Sequence, residues 1–193
     1  MTLAFMTKWP QKMDHLNGYQ THFPEKIWKS MIHKFDTDQQ AVYFAEDYLK
    51  EAPLMEIKYP EWNGIHDKTP KKHSIREDGH DRWKDGTNIH FVINDRTPNR
   101  FQFAPVLPCV STQKIEIIWN KPLSELFNTL PGIFALNNGK GNYVCVFIDG
   151  KPMSRSIVNQ LALNDGFNSI EDFFLWFNTD FNGKIIHWTN LKY

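Results

Sequence analysis

The chain has 193 residues, and its 22 lysines and arginines are matched by 22 aspartates and glutamates. Proteins that grip long stretches of phosphate backbone carry a basic excess, because their affinity comes from counterion release. The balance here argues against an extended polyanion groove and leaves room for a local pocket. No apolar run approaches the ~18 residues of a membrane span and no secretory h-region opens the chain, so the expectation is a soluble, cytoplasmic protein.

Aromatic residues make up 15% of the chain, with 15 Phe and 7 Trp. Most of that load must be core, and the length suits one domain that needs no disulfide or metal staple. Cys109 and Cys145 stand in apolar, strand-like surroundings and read as buried, reduced thiols.

Residues 1–22 are mixed in character and read as an arm or irregular lead-in. Pro24 suits the first turn of a helix reaching about Phe35, with Ile27, Trp28, Met31, Ile32 and Phe35 forming one apolar stripe. Asp36 or Thr37 can cap a second helix, whose stripe is Ala41, Phe44, Ala45, Tyr48 and Leu49; Pro53 ends it. From Lys58 to Asp85 the texture becomes Pro-, Gly-, His- and charge-rich, a structured connection that is only partly strand.

Strands follow at Asn88–Asn94, Phe101–Leu107 and Cys109–Trp119, the last with a bend near its polar middle. Residues 121–142 suggest a short helix and a Gly/Asn-rich loop. Tyr143–Ile148 is a strand, with Asp149-Gly150 as a turn. A helix from Ser154 to Leu163 closes at Asn164-Asp165-Gly166. Ser169 with Asp172, or Asn168 with Glu171, caps a further helix that buries Ile170, Phe173, Phe174 and Phe177. Gly183 restarts the chain as a last strand, Ile185–Trp188. Central strands with helices around them predict an α+β fold, either a small β-barrel or a curled mixed sheet with flanking helices.

The richest chemistry lies in Lys71-Lys72-His73-Ser74-Ile75-Arg76. A hydroxyl near a desolvated lysine is an arrangement for acyl transfer, because the amine can act as base. Arg76 can depress a neighbouring amine or hold an anionic group. An acid such as Asp165 can orient the lysine or shuttle a proton. If the segment is extended, Lys72, Ser74 and Arg76 share one face while Lys71, His73 and Ile75 share the other. Either Lys71 or Lys72 can then supply the amine.

His66, His73 and His80 match no zinc spacing, and Gly139-Lys140-Gly141 is too short for a phosphate loop, so neither metal nor cofactor is expected. Trp62 and Trp83 could stack a base or pack in the core. Arg96 and Arg100, in the polar turn 94–100, could flank a nucleic acid or simply face solvent.

Three stretches taken in order resemble the signature of ASCH-type domains, a branch of the PUA-like barrels. They are Lys71–Arg76 followed by Trp83, Gly86 and the strand Ile89–Ile93; Ile148-Asp149-Gly150 leading to Leu161–Phe167; and the Ser169–Phe177 helix with Ile185–Trp188. The resemblance covers residues 65–193 best. It divides the chain into an N-terminal arm and helical extension packed on the core (1–57) and an ASCH/PUA-like domain (58–193).

The resemblance implies binding of RNA or a modified nucleoside, with Lys72, His73, Arg76, Trp83, Arg96 and Arg100 as binding candidates. It also implies an alternative, amidohydrolysis of an acylated cytidine-like nucleoside. In that branch the signature Lys, Thr and a downstream Glu carry the chemistry. By position they match Lys71, Ser74 and Asp165, and the family's Gly before the Lys is Thr69 here. A third reading is an assembly component that docks a protein partner through the N-terminal helices.

Overall fold

The computed structural model describes residues 1–31, 68–119, 134–136 and 142–193. The second predicted helix, Trp62, His66 and the helix expected after residue 120 lie outside the described residues. Among the described residues ten strands form two sheets, and the α+β class is as expected. The barrel alternative is not: no closed barrel forms among the described residues.

The first sheet joins β1 (Thr2–Phe5), β3 (Asn88–Ile93), β4 (Phe101–Gln102) and β5 (Leu107–Pro108). Residues 2–5 are therefore strand where the sequence predicts an irregular lead-in. β1 runs parallel to β3, with Thr2 opposite His90 and Phe5 opposite Ile93, and its alternate residues Leu3 and Phe5 are buried. A partner more than eighty residues away supplies its hydrogen bonds, and no local pattern announces such pairing. The predicted strand 101–107 is two short ones. Pro105 offers no donor and lies between the pairings of Phe101 with Ile93 and Leu107 with Ile89.

The second sheet runs β2 (His73–Arg76), β10 (Phe181–His187), β6 (Ser111–Trp119), β8 (Asn142–Ile148) and β7 (Phe134–Leu136), all antiparallel, with β9 (Lys151–Pro152) paired to β8. The Asp149-Gly150 turn between β8 and β9 has φ of 50° and 76°, left-handed values that a two-residue hairpin turn requires. β6 keeps its register with β10 from Ser111 to Ile117, with no break in the pairing through its polar middle.

Helix α1 (Phe23–Met31) lies between the sheets. Trp28 Nε1 donates to Phe103 O near the first sheet at 2.9 Å. Trp188 Nε1, just past β10, donates to Ser30 Oγ at 2.9 Å. With a sheet on either side, eight of the nine α1 residues are buried, rather than the single stripe its periodicity predicts. Fully burying one side chain of the Trp28, Ile27 or Met31 class is worth about 1.5–3 kcal/mol, so α1 is a principal fastener of the two layers.

Helices α2 (Arg155–Asn164) and α3 (Ile170–Trp176) start as the sequence predicts. Ser154 Oγ accepts from Ile157 N, and Ser169 Oγ accepts from Asp172 N at 3.0 Å. Both cysteines are buried thiols outside any disulfide. No helix among the described residues is long and apolar enough to cross a membrane.

Gly183 on β10 sits where a Cβ would collide with the backbone carbonyl of Arg76 and lie 2.7 Å from the Phe181 ring. A backbone carbonyl cannot rotate away. Gly183→Ala is expected to cost about 1–3 kcal/mol in urea unfolding; a loss of a few tenths would show that β2 and β10 can separate freely.

Candidate functional site

Among the described residues β1 and β2 each stand at one end of their sheet's strand order, and a seam runs between them. Arg76, at the end of β2, bridges it: Nη2 donates to Ala4 O at 2.8 Å, and the guanidinium lies 5.3 Å from the Phe5 ring centre. Behind this bridge is a cavity of about 50 Å³. Lys71, Asp165 and Arg76 are its charged groups; its walls are largely aromatic, from Phe5, Trp9, Phe23, Phe167, Trp176 and Phe177.

Asp165 is placed by how α2 ends. Gly166 has φ of 91° and donates to Leu163 O, while Phe167 N donates to Ala162 O at 3.1 Å. Those two bonds make a Schellman turn, which needs a left-handed residue after the cap and normally recruits glycine. Gly166 is needed on steric grounds too, because a Cβ there would stand 3.0 Å from the Phe23 ring and 3.2 Å from Lys71 Cδ. The Asp165 carboxylate thus sits at the negative end of a helix, an unfavourable place unless a cation compensates.

Lys71 compensates. Its Nζ donates to Asp165 Oδ1 at 2.6 Å and to the Asp165 carbonyl. The Lys71 and Lys72 amides are tied to Lys26 O at 2.9 Å and Asn164 O at 2.7 Å. A second buried lysine, Lys26 on α1, donates to Gly166 O at 2.6 Å and Asn168 Oδ1 at 3.2 Å. Two ammonium groups therefore clamp the link between α2 and α3. Burial pushes Lys71 down to about 8, with Arg76 adding to the fall and Asp165 opposing it. Lys26 is lowered to about 8 as well, by burial and then by the charge of Lys71. For Asp165, burial alone would raise the carboxyl, but the charge of Lys71 and the approach of His73 outweigh it, leaving the group below its ordinary value.

Alternation along β2 decides the rest. Lys71, His73 and Ile75 gather at Asp165: Ile75 N donates to Oδ1 at 3.3 Å, and His73 Nδ1 lies 3.6 Å from it. His73 Nε2 pairs with Tyr193 Oη at 2.8 Å. That hydroxyl also accepts from Asn164 Nδ2 at 2.8 Å, which ties the end of α2 to His73.

Ser74 is buried opposite Ile186, and no hydrogen bond joins its hydroxyl to Lys71 or Asp165. Lys72 is half-buried and does not line the cavity. The amine in the cavity is thus that of Lys71. Trp83 is 4% exposed, its amide held by Asp78 Oδ2 at 2.9 Å, so neither ring face is free for a base. Arg96 and Arg100 lie in an exposed turn, where Arg100 Nε donates to Asp95 Oδ1 at 3.3 Å, and neither reaches the cavity.

The sequence reading missed Trp9, Lys26, Trp176 and Tyr193. Trp9 lies in the segment read as an arm, and Trp176 lies in the predicted Ser169–Phe177 helix but outside its predicted buried set. A wider groove of about 520 Å³, lined by Lys114, Glu116, Phe147 and Lys184, is larger but chemically quieter. Its Lys184 is already bound to Asp81, Trp83 O and Asp78. The smaller cavity, with its buried ion pair and aromatic walls, is the better candidate.

Fold and site together define an α+β protein with a buried lysine–aspartate pair at the seam of two sheets. No protein-family model, curated protein or solved structure matches the chain.

Proposed function

We propose that this chain is an ASCH-type, PUA-like domain that binds RNA or a modified nucleoside at the β1–β2 seam. The observation that carries the reading is the meeting of Lys71, Asp165 and Arg76 in an aromatic-walled cavity. Water occupies about 30 Å³ per molecule in the liquid, so a 50 Å³ space takes an exocyclic substituent rather than a whole base. The ring would then rest at the half-buried rim, against Trp176 and Met6, with Arg76 meeting a phosphate or base edge.

Arg76→Ala should weaken binding about tenfold, the usual scale for a charge-assisted hydrogen bond, while lowering the melting temperature little. Fluorescence anisotropy against structured RNAs and competing modified nucleosides measures this. Unchanged binding across the whole panel would remove the reading.

The amidohydrolase alternative is weaker, because Ser74 does not line the cavity, and the Lys71 amine meant to activate it is bonded to Asp165 instead. Chromatographic assay of acetylcytidine decides it: turnover abolished by Ser74→Ala would restore that alternative. A docking role for α1 is disfavoured by its burial between the sheets.

A further inference from the structure

Lys71 is more than a binding charge. Its amine ends in the cavity, shielded from bulk water, beside the carboxylate of Asp165 at 2.6 Å. Such an amine sheds its proton far more readily than an exposed lysine, and neutral amines add to carbonyls. The cations near it are Arg76 on β2 and Lys26 on α1, the first repelling its ammonium and the second sharing its lowered basicity. Arg76 donates from Nη2 to Ala4 O and from Nη1 to Ile75 O at 3.5 Å, and its five N–H groups leave further donors for a ligand. The cavity admits only the smallest carbonyl compounds.

We propose that Lys71 captures small oxo acids as a Schiff base, with Asp165 relaying the proton and Arg76 holding the acid's carboxylate. The ammonium passes a proton to Asp165, and the neutral Nζ attacks the carbonyl carbon, forming a C–N bond. The carbonyl oxygen takes up one of the nitrogen's two remaining protons and the one held by Asp165, the C–O bond breaks, and water leaves. The product is a protonated imine beside the Asp165 carboxylate, with no change in oxidation state. This capture uses the proposed nucleoside cavity but does not require a nucleoside to bind there.

Glyoxylate with cyanoborohydride near pH 8 tests it, because added hydride fixes the imine as a carboxymethyl amine that peptide mass mapping locates. The expected result is labelling of Lys71 ahead of exposed lysines such as Lys84, Lys114 and Lys151. Labelling of Lys71 no faster than these would overturn the proposal, and this comparison needs only the unaltered protein. Arg76→Gln should slow glyoxylate labelling about tenfold more than acetaldehyde labelling; equal slowing would overturn the oxo-acid assignment. Loss of RNA binding with labelling intact would sink only the nucleoside reading.

Discussion

Replacing Asp165 by alanine is expected to cost about 3–5 kcal/mol of unfolding free energy, because it strands a buried ammonium without its partner. Lys71 and Asp165 have side chains only 3% and 7% exposed, so solvent offers little replacement. The carboxylate also serves Ile75 N and faces His73, so its loss reaches the edge strand as well as the lysine. Urea unfolding near pH 7 measures the cost. The double variant Lys71→Met/Asp165→Leu should lose much less than the two single changes together, because it removes both desolvated charges. Additive losses would show that the two residues act independently.

The second large effect is acid destabilisation through His187. Its ring is fully buried, and among the described residues neither Nδ1 nor Nε2 has a hydrogen-bond partner. In register it lies opposite His73 on β2 and Ser111 on β6, whose hydroxyl is also unpartnered, and the Tyr193 ring stands 6.1 Å away. Burial, then the charges of His73 and Lys192, pushes His187 from 6.5 down to about 3; Asp149 opposes weakly.

A base whose folded value is lowered costs stability as pH falls, since the unfolded chain takes up the proton first. The loss begins near pH 6.5 and is complete near pH 3, on the order of 5 kcal/mol at roughly 1.4 kcal/mol per unit. Asp165 acts in the same direction at the lower end, because a depressed carboxyl loses its contribution as pH falls through its folded value. His187→Leu should flatten the profile between pH 6.5 and 3. At pH 7 it should leave stability unchanged or higher, since two unpartnered nitrogens leave the core. An identical acid profile in the variant would exclude His187 as the trigger.

Legibility followed the range of the interactions. Ser154, Ser169 and the Asn164-Asp165-Gly166 stop were readable because caps and Schellman turns are settled by residues within one helical turn. The turn at Asp149-Gly150 was readable for the same reason. β1 was not, since its partner is β3, nor was the full burial of α1, which depends on two sheets closing over it.

The segment 71–76 divides along the same line. Strand alternation by itself predicts that Lys71, His73 and Ile75 separate from Lys72, Ser74 and Arg76, yet Lys71 and Arg76 line one cavity. It could not say which set met Asp165. The tertiary structure decided for Lys71, by ending α2 against β2 so that a carboxylate at a helix C-terminus needed a buried cation. It also separated Ser74 from that amine and brought Trp9 and Trp176 to the cavity from opposite ends of the chain. Residue types and local turns are written in the sequence. The meeting of distant residues is settled only when two sheet edges and a helix end close on one small space.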